Sequence, residues 1–85
     1  MFYINLHYLI WKKMWNFRVL DLTKDNDWGE KWLEICEVYY NDDQSLMGYS
    51  KAIIGEETIE ELKETLQRML DCLNKPVIQK QDFHE

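Results

Sequence analysis

Eighty-five residues are enough for one domain and too few for two, and a chain with 46% hydrophobic and 14% aromatic residues is too apolar to be disordered. The net charge of −6 is spread unevenly: residues 1–24 hold four bases and one acid, whereas residues 25–85 hold six bases and 15 acids. Because an acidic body repels phosphate, this balance disfavours nucleic acid as a ligand and favours a basic partner.

The N-terminal segment, residues 1–13, is apolar and allows two interpretations. Its large side chains alternate with the period of a β-strand, which predicts an extra strand that pairs with a sheet edge or with a second copy of the chain. The candidate oligomer contacts are Phe2, Ile4, Leu6, Tyr8, Ile10 and Trp11. Alternatively, Met14 is the true start and the first 13 residues are a non-native or upstream extension. The segment is too short to span a bilayer, which takes about 20 apolar residues, and it lacks the pattern of a signal peptide.

Three strand-like runs follow, at residues 15–22, 31–40 and 46–54, and polar loops separate them. The second run is rich in β-branched and aromatic residues and has apolar side chains on both faces, which indicates a central strand. Short connections between successive runs predict an antiparallel meander.

One amphipathic helix is predicted at residues 58–73. Thr58 and Glu61 have the spacing of a capping box at its start. Apolar residues then recur at helical period, at Ile59, Leu62, Leu66, Met69, Leu70 and Leu73. This stripe needs a partner, and one face of the sheet is the largest surface that can cover it. We therefore predict an α+β domain over residues 14–75, in which a three-stranded antiparallel β-meander, or a four-stranded one if residues 1–13 join it, packs against one C-terminal amphipathic helix. Residues 76–85 form a short C-terminal tail.

The two cysteines, Cys36 and Cys72, are fewer than a disulfide-dependent mini-protein usually has. We expect both thiols to be reduced and partly buried, and the protein to be cytoplasmic.

Catalytic and metal chemistry lacks a recognisable motif in this chain. His7, His84, Cys36 and Cys72 are scattered without metal-binding spacing, and the loop that begins at Asp25 departs from the EF-hand pattern. Neither a Gly-rich phosphate loop nor a nucleophile beside a motif-placed histidine is present. We expect no catalytic residue, no metal, no cofactor and no enzymatic activity.

Protein binding is the function that the composition favours. Twelve aromatic residues exceed what so small a core encloses, and Trp and Tyr are enriched at interface hot spots. Acidic residues on the helix would steer a basic partner. The candidate protein-binding residues are Trp28, Tyr39, Tyr40, Tyr49, Glu60, Glu61, Glu64 and Asp71.

Two alternatives belong to other classes of function. One is a structural homo-oligomer that uses its aromatic and N-terminal surfaces for self-association. The other is an aromatic platform that stacks single-stranded nucleic acid on strand aromatics, with Arg18 in its basic rim. No membrane partner is expected.

The strands followed by a Gly-x-x-Thr-Ile-Glu-Glu-Leu stretch, from Gly55 to Leu62, resemble the HicB-type antitoxin domain over roughly residues 15–73. That resemblance implies neutralisation of a small basic RNase toxin and frequent oligomerisation. The Pro-Gly-Cys stretch of the family is missing, so no functional residue is transferred. In size and charge alone, the chain also resembles small acidic proteins of phages and mobile elements. We interpret the chain as a non-catalytic acidic protein-binding module that acts as an inhibitor, antitoxin-like neutraliser or adaptor.

Overall fold

A computed structural model describes residues 14–23 and 29–83 of the chain. In chain order the elements are β1 (Trp15–Asp21), β2 (Leu33–Tyr40), β3 (Leu46–Lys51), helix α1 (Ile59–Cys72), β4 (Ile78–Gln79) and a 3₁₀ turn at Lys80–Asp82. The predicted α+β class is confirmed, with the helix following a three-stranded antiparallel meander. The predictions made for residues 1–13 and for Trp28 lie outside the described residues.

The four strands form one sheet in the order β3-β2-β1-β4. β1 pairs antiparallel with β2, and β2 pairs antiparallel with β3, so β2 is one of the two inner strands, as its two apolar faces predict. β4 pairs with β1 in parallel, with Ile78 opposite Leu20 and Gln79 opposite Asp21. The sheet is therefore mixed, and within the described residues its fourth strand comes from the C-terminal tail.

Helix α1 begins as its sequence predicts. The Thr58 side chain is the N-cap and accepts a hydrogen bond of 3.1 Å from the Glu61 backbone N–H. Glu60 and Glu61 occupy the first turn, where the helix dipole favours negative charge. The Thr58 cap and the acidic first turn together stabilise the N-terminal end of the helix.

The first hydrophobic cluster lies between α1 and one face of the sheet. Phe17 and Val19 of β1 pack against Met69 and Cys72 of α1, with Trp15, Ile35 and Ala52 at the margin. Thr65 is also buried on this side of the helix. Most of the predicted apolar stripe is not, because Ile59, Leu66, Leu70 and Leu73 stay exposed. The helix is thus rotated about its axis relative to the packing that its apolar periodicity predicts.

The second cluster lies on the opposite face of the sheet. Leu20, Cys36, Val38 and Ile78 are buried there, and five partly buried residues surround them: Leu22, Tyr40, Leu46, Tyr49 and Phe83. Arg18 holds the tail against this sheet, because its Nη2 donates a hydrogen bond of 2.7 Å to the Pro76 carbonyl. Docking of the tail completes this half of the core.

Candidate functional site

A groove runs along one flank of α1, beside the N-terminal half of β1. It encloses about 420 Å³. Its lining comes from four parts of the chain: β1, β2, the loop before the helix, and α1 itself. Concave surfaces with a few convergent polar groups are where proteins most often bind ligands, so this groove is the candidate site.

The floor of the groove is aromatic. Trp15 and Phe17 point to the same face of β1 because side chains two residues apart share a face of a strand. Their ring centroids are 5.1 Å apart and the ring planes lie at 89°, an edge-to-face pair. Phe17 is buried in the first cluster, whereas Trp15 is only partly buried and offers ring surface to the groove.

The rim of the groove is acidic. Glu37 projects from β2 directly opposite Phe17, Glu56 comes from the loop before α1, and Glu61 and Glu64 project from one flank of the helix. The two helical acids share that flank because residues three apart in a helix are neighbours. Among the described residues that line the groove, Arg68 is the only base. The site therefore carries net negative charge.

Hydrogen bonds hold two of these carboxylates in place. Thr65 Oγ1 donates to Glu56 Oε2 at 2.7 Å, and Arg68 Nη2 donates to Thr65 Oγ1 at 3.2 Å. The Tyr39 hydroxyl donates to Glu37 Oε1 at 2.8 Å and is hydrogen-bonded to Ser50 Oγ at 2.7 Å. Burial raises the pKa of Tyr39, so its hydroxyl remains a neutral donor to Glu37. These two carboxylates are oriented before any ligand arrives.

A second compartment of about 370 Å³ adjoins the first and shares Trp15, Phe17 and Arg68 with it. Asp71 and Lys75 line this compartment, so its charge is mixed. The acidic groove and this second compartment together run along one flank of α1, and Arg68 lines both.

In chemical terms the acidic end suits a cation. Oriented carboxylates accept charge-assisted hydrogen bonds from a guanidinium or ammonium group, and an accessible Trp ring attracts the same cation through its π face. The described residues include no group of three or more His, Cys, Asp or Glu side chains arranged to hold a metal ion. No helix in the described ranges is long and apolar enough to cross a membrane.

The structure brings together only part of the set of candidate residues. Glu61 and Glu64 lie on the groove rim, and Asp71 lines the adjoining compartment. Tyr39 does not line the groove but donates a hydrogen bond to Glu37, which does. Glu60 is exposed and does not line the groove.

Two of the candidate tyrosines lie on the opposite face of the sheet. The Tyr40 hydroxyl donates a hydrogen bond of 2.7 Å to Asn16 Oδ1, and the Tyr49 ring lies 5.1 Å from the Phe83 ring. Both side chains pack against the second hydrophobic cluster. The remaining candidate residues, Trp28 and the six in residues 1–13, are not among those described.

Sequence reasoning missed Trp15, Phe17, Glu37, Glu56 and Arg68 as members of one site. Strand alternation assigned Trp15 and Phe17 to a common face, but it did not indicate that the helix leaves a gap beside them. Glu37 becomes a rim residue only through its register opposite Phe17.

No protein-family model matches this chain, and neither does any curated protein or any solved structure.

Proposed function

We propose that this protein is a non-catalytic binding module that takes a basic segment of another protein into the groove beside α1. One observation supports the proposal above all: an accessible aromatic floor lies under four carboxylates, with a single arginine among the described lining residues. This pairing of aromatic surface with carboxylates, two of which are held by hydrogen bonds, matches the chemistry of an Arg or Lys side chain.

The proposed binding mode combines short-range and long-range effects. An inserted guanidinium stacks on Trp15 and donates hydrogen bonds to Glu61 or Glu64. The acidic body, with 15 acids and six bases in residues 25–85, accelerates encounter with a basic partner. Since salt screens exposed charges over about 8 Å at physiological ionic strength, affinity falls as salt rises.

The biological role that fits such a groove is inhibitory or antitoxin-like. A basic segment that occupies the groove is unable to contact phosphate at the same time, so binding would block a partner that acts on nucleic acid. An adaptor role uses the same contact without the inhibition. We further propose a cytoplasmic location, because free, buried cysteines are typical of reducing compartments.

Nucleic acid is a weaker candidate for this groove. Trp15, Phe17 and Tyr39 share one sheet face and would be the stacking platform, but Glu37 lies on the same face, directly opposite Phe17 and beside Tyr39. Phosphates would approach a rim of carboxylates, which is electrostatically unfavourable.

The test uses a fluorescein-labelled peptide of nine arginines and measures anisotropy at low and physiological salt. The groove variant is Glu61→Gln with Glu64→Gln. The matched control is Glu57→Gln with Glu60→Gln, which changes net charge equally at two exposed positions outside the groove lining. We expect about tenfold weaker binding for the groove variant and less than about threefold for the control, because close charge pairs contribute more than distant ones.

Equal losses in the two variants would show that the peptide senses net charge only and would reject the groove as the site. The same two variants, used as baits in host lysate, then identify the natural partner as a protein that the groove variant loses and the control retains.

A further inference from the structure

The chain enters β1 beside the groove. Trp15 is the first residue of β1, and it lines both the groove and the adjoining compartment. Met14, just before it, is fixed to the sheet, because its carbonyl accepts a hydrogen bond of 2.9 Å from the Tyr40 backbone N–H. Met14 is also part of a turn, so the chain changes direction there instead of continuing straight along the line of β1. The segment that precedes Met14 therefore starts next to a residue that lines the groove.

Two lysines, Lys12 and Lys13, stand directly before this point in the sequence. They lie outside the described residues, but the length of the chain limits their distance. At no more than about 3.6 Å per residue, the Cα atoms of Lys13 and Lys12 are within about 7 Å and 11 Å of that of Trp15. A lysine side chain adds a flexible four-carbon stem to this reach. Because Trp15 lines the same groove of about 420 Å³ as Glu61 and Glu64, both ammonium groups are within reach of its rim.

The charges of this segment and of the groove are opposite in sign. Residues 1–13 contain two lysines and no acid, whereas the described lining of the groove has four carboxylates and one base. Neither Glu61 nor Glu64 forms an ion pair with another described residue. Both carboxylates are therefore available to a cation, and the lysines are the basic side chains that the chain itself brings nearest to them.

We propose that Lys12 and Lys13 occupy the acidic rim of the groove in the free protein and compete there with the basic segment of a partner. This inference rests on the proposed function, because it concerns the regulation of the same site. The groove is then occupied by its own chain until a stronger basic ligand displaces the lysines. Binding of a partner releases residues 1–13 from the groove.

Attachment to the chain makes a weak contact effective. A group tethered this closely has an effective concentration in the millimolar range, so the two lysines bind even if a separate peptide with the same sequence had a dissociation constant of about 1 mM. A partner with several adjacent arginines still displaces them, because a guanidinium donates two parallel hydrogen bonds to a carboxylate, whereas an ammonium acts as a point charge. The segment therefore raises the affinity that a ligand needs and selects against weakly basic ligands.

The first test measures binding of the fluorescein-labelled nine-arginine peptide to variants of the full chain at low salt. Lys12→Gln with Lys13→Gln removes the internal competitor, and we expect about fivefold tighter binding than for the wild type. The matched control is Lys51→Gln with Lys63→Gln, which changes net charge equally at two exposed positions outside the groove lining. This control should gain less than about twofold, because it alters only distant charge. Equal gains in the two variants overturn the proposal.

The groove acids provide a second control for the same measurement. When Glu61→Gln and Glu64→Gln are also present, the gain from Lys12→Gln with Lys13→Gln should disappear, because changes at residues in contact are not additive. The gain should also be smaller at physiological salt, since screening weakens the internal contact. A gain of the same size without the two acids overturns the proposal.

Cross-linking within the chain tests the contact without any ligand, so its outcome is separate from that of the proposed function. A short bismaleimide reagent should link Lys13→Cys to Glu64→Cys, while the native Cys36 and Cys72 are buried. The control pairs Lys13→Cys with Leu66→Cys, because Leu66 is exposed on the opposite flank of α1, two residues along from Glu64. If the peptide binds no variant, the proposed function fails, yet selective linkage to position 64 still supports the internal contact. Equal linkage at both positions, or none at either, overturns it.

Discussion

Thr65, in the middle of α1, donates a hydrogen bond of 2.7 Å to Glu56 in the loop before the helix. Thr65 is only 1% exposed, so its hydroxyl needs a protein partner. Arg68 donates to the same hydroxyl oxygen, which links loop, buried threonine and groove arginine in one chain of hydrogen bonds. These hydrogen bonds connect two groove-lining residues, Glu56 and Arg68, to the buried side of α1, and so they fix one wall of the groove.

Replacing Thr65 with valine tests this connection. Thr65→Val keeps the shape of the side chain but removes the donor, so we expect the free energy of unfolding to fall by about 1 kcal/mol. Amide exchange in the loop at residues 53–57 should accelerate, and affinity for the nine-arginine peptide should fall. Thr65→Ser, which keeps the hydroxyl, should retain slow loop exchange. Urea denaturation and hydrogen exchange measure these effects. A Thr65→Val protein with unchanged loop exchange would contradict the role assigned to this hydrogen bond.

Asp21 predicts a specific dependence of stability on pH. Lys31 Nζ lies 2.7 Å from its Oδ2, and the Thr23 side chain and backbone N–H donate to its Oδ1. Lys31 first, and Thr23 next, lower the pKa of Asp21 from 3.8 to about 2. Because the folded pKa lies below the unfolded one, the ionised carboxylate stabilises the fold above about pH 4, and this contribution disappears as pH falls through about 2.

The measurement compares Asp21→Asn with the wild type in urea between pH 7 and pH 2. We expect a constant difference in midpoint down to about pH 4 and convergence of the two proteins near pH 2. Asp42→Asn, in the exposed hairpin loop, is the control of equal charge and should show no such convergence. Titration of the Asp21 carboxyl by NMR gives its pKa directly. A value close to 3.8 would show that Lys31 and Thr23 do not hold the carboxylate as described.

The cysteines are free and buried, as their number predicts, and they lie in different clusters on opposite faces of the sheet. Burial raises the pKa of the Cys36 thiol to about 11, with a smaller contribution from Glu34, and burial also raises the pKa of Cys72. At pH 8 both groups are therefore almost wholly protonated, and the thiolate is the reactive form.

We expect Ellman's reagent to label native protein at pH 8 at least about 100-fold more slowly than the unfolded chain. The unfolded chain, in guanidinium chloride, should titrate two thiols and so provides the internal control. Rapid labelling of one thiol in the native state would mean that the cluster around that cysteine opens readily.

Local pattern determined the helix and the three long strands. Periodicity of 3.6 with Thr58 as cap predicted residues 58–73, and the helix spans Ile59–Cys72. The alternation of side chains predicts a first strand at 15–22, and the strand spans Trp15–Asp21. The agreement is close because this alternation directly shows the two-residue period of a strand. The differences are confined to element ends, where the last hydrogen bonds depend on neighbours rather than on pattern.

The candidate site was only partly accessible from sequence. Acids at Glu61 and Glu64 were identified from their place on a helix face, which is a local property. Trp15 and Glu37 come from different strands, and their convergence depends on the β1–β2 register and on where α1 crosses the sheet. No local pattern in the sequence indicates where α1 crosses the sheet.

By itself the sequence determined which residues are available to form apolar and acidic faces, since that follows from side-chain type and backbone period. The tertiary structure alone decided which of those faces are used. β4 contains two residues, too few to show a period, and exists because Ile78 completes the second cluster beside Leu20. On α1, the sheet covers the side that carries Thr65, Met69 and Cys72 and not the centre of the apolar stripe, so packing buries Met69 and leaves Leu66 in solvent. Which side chains are buried depends on how the sheet and the helix pack together, and the area of contact between them limits how many can be buried.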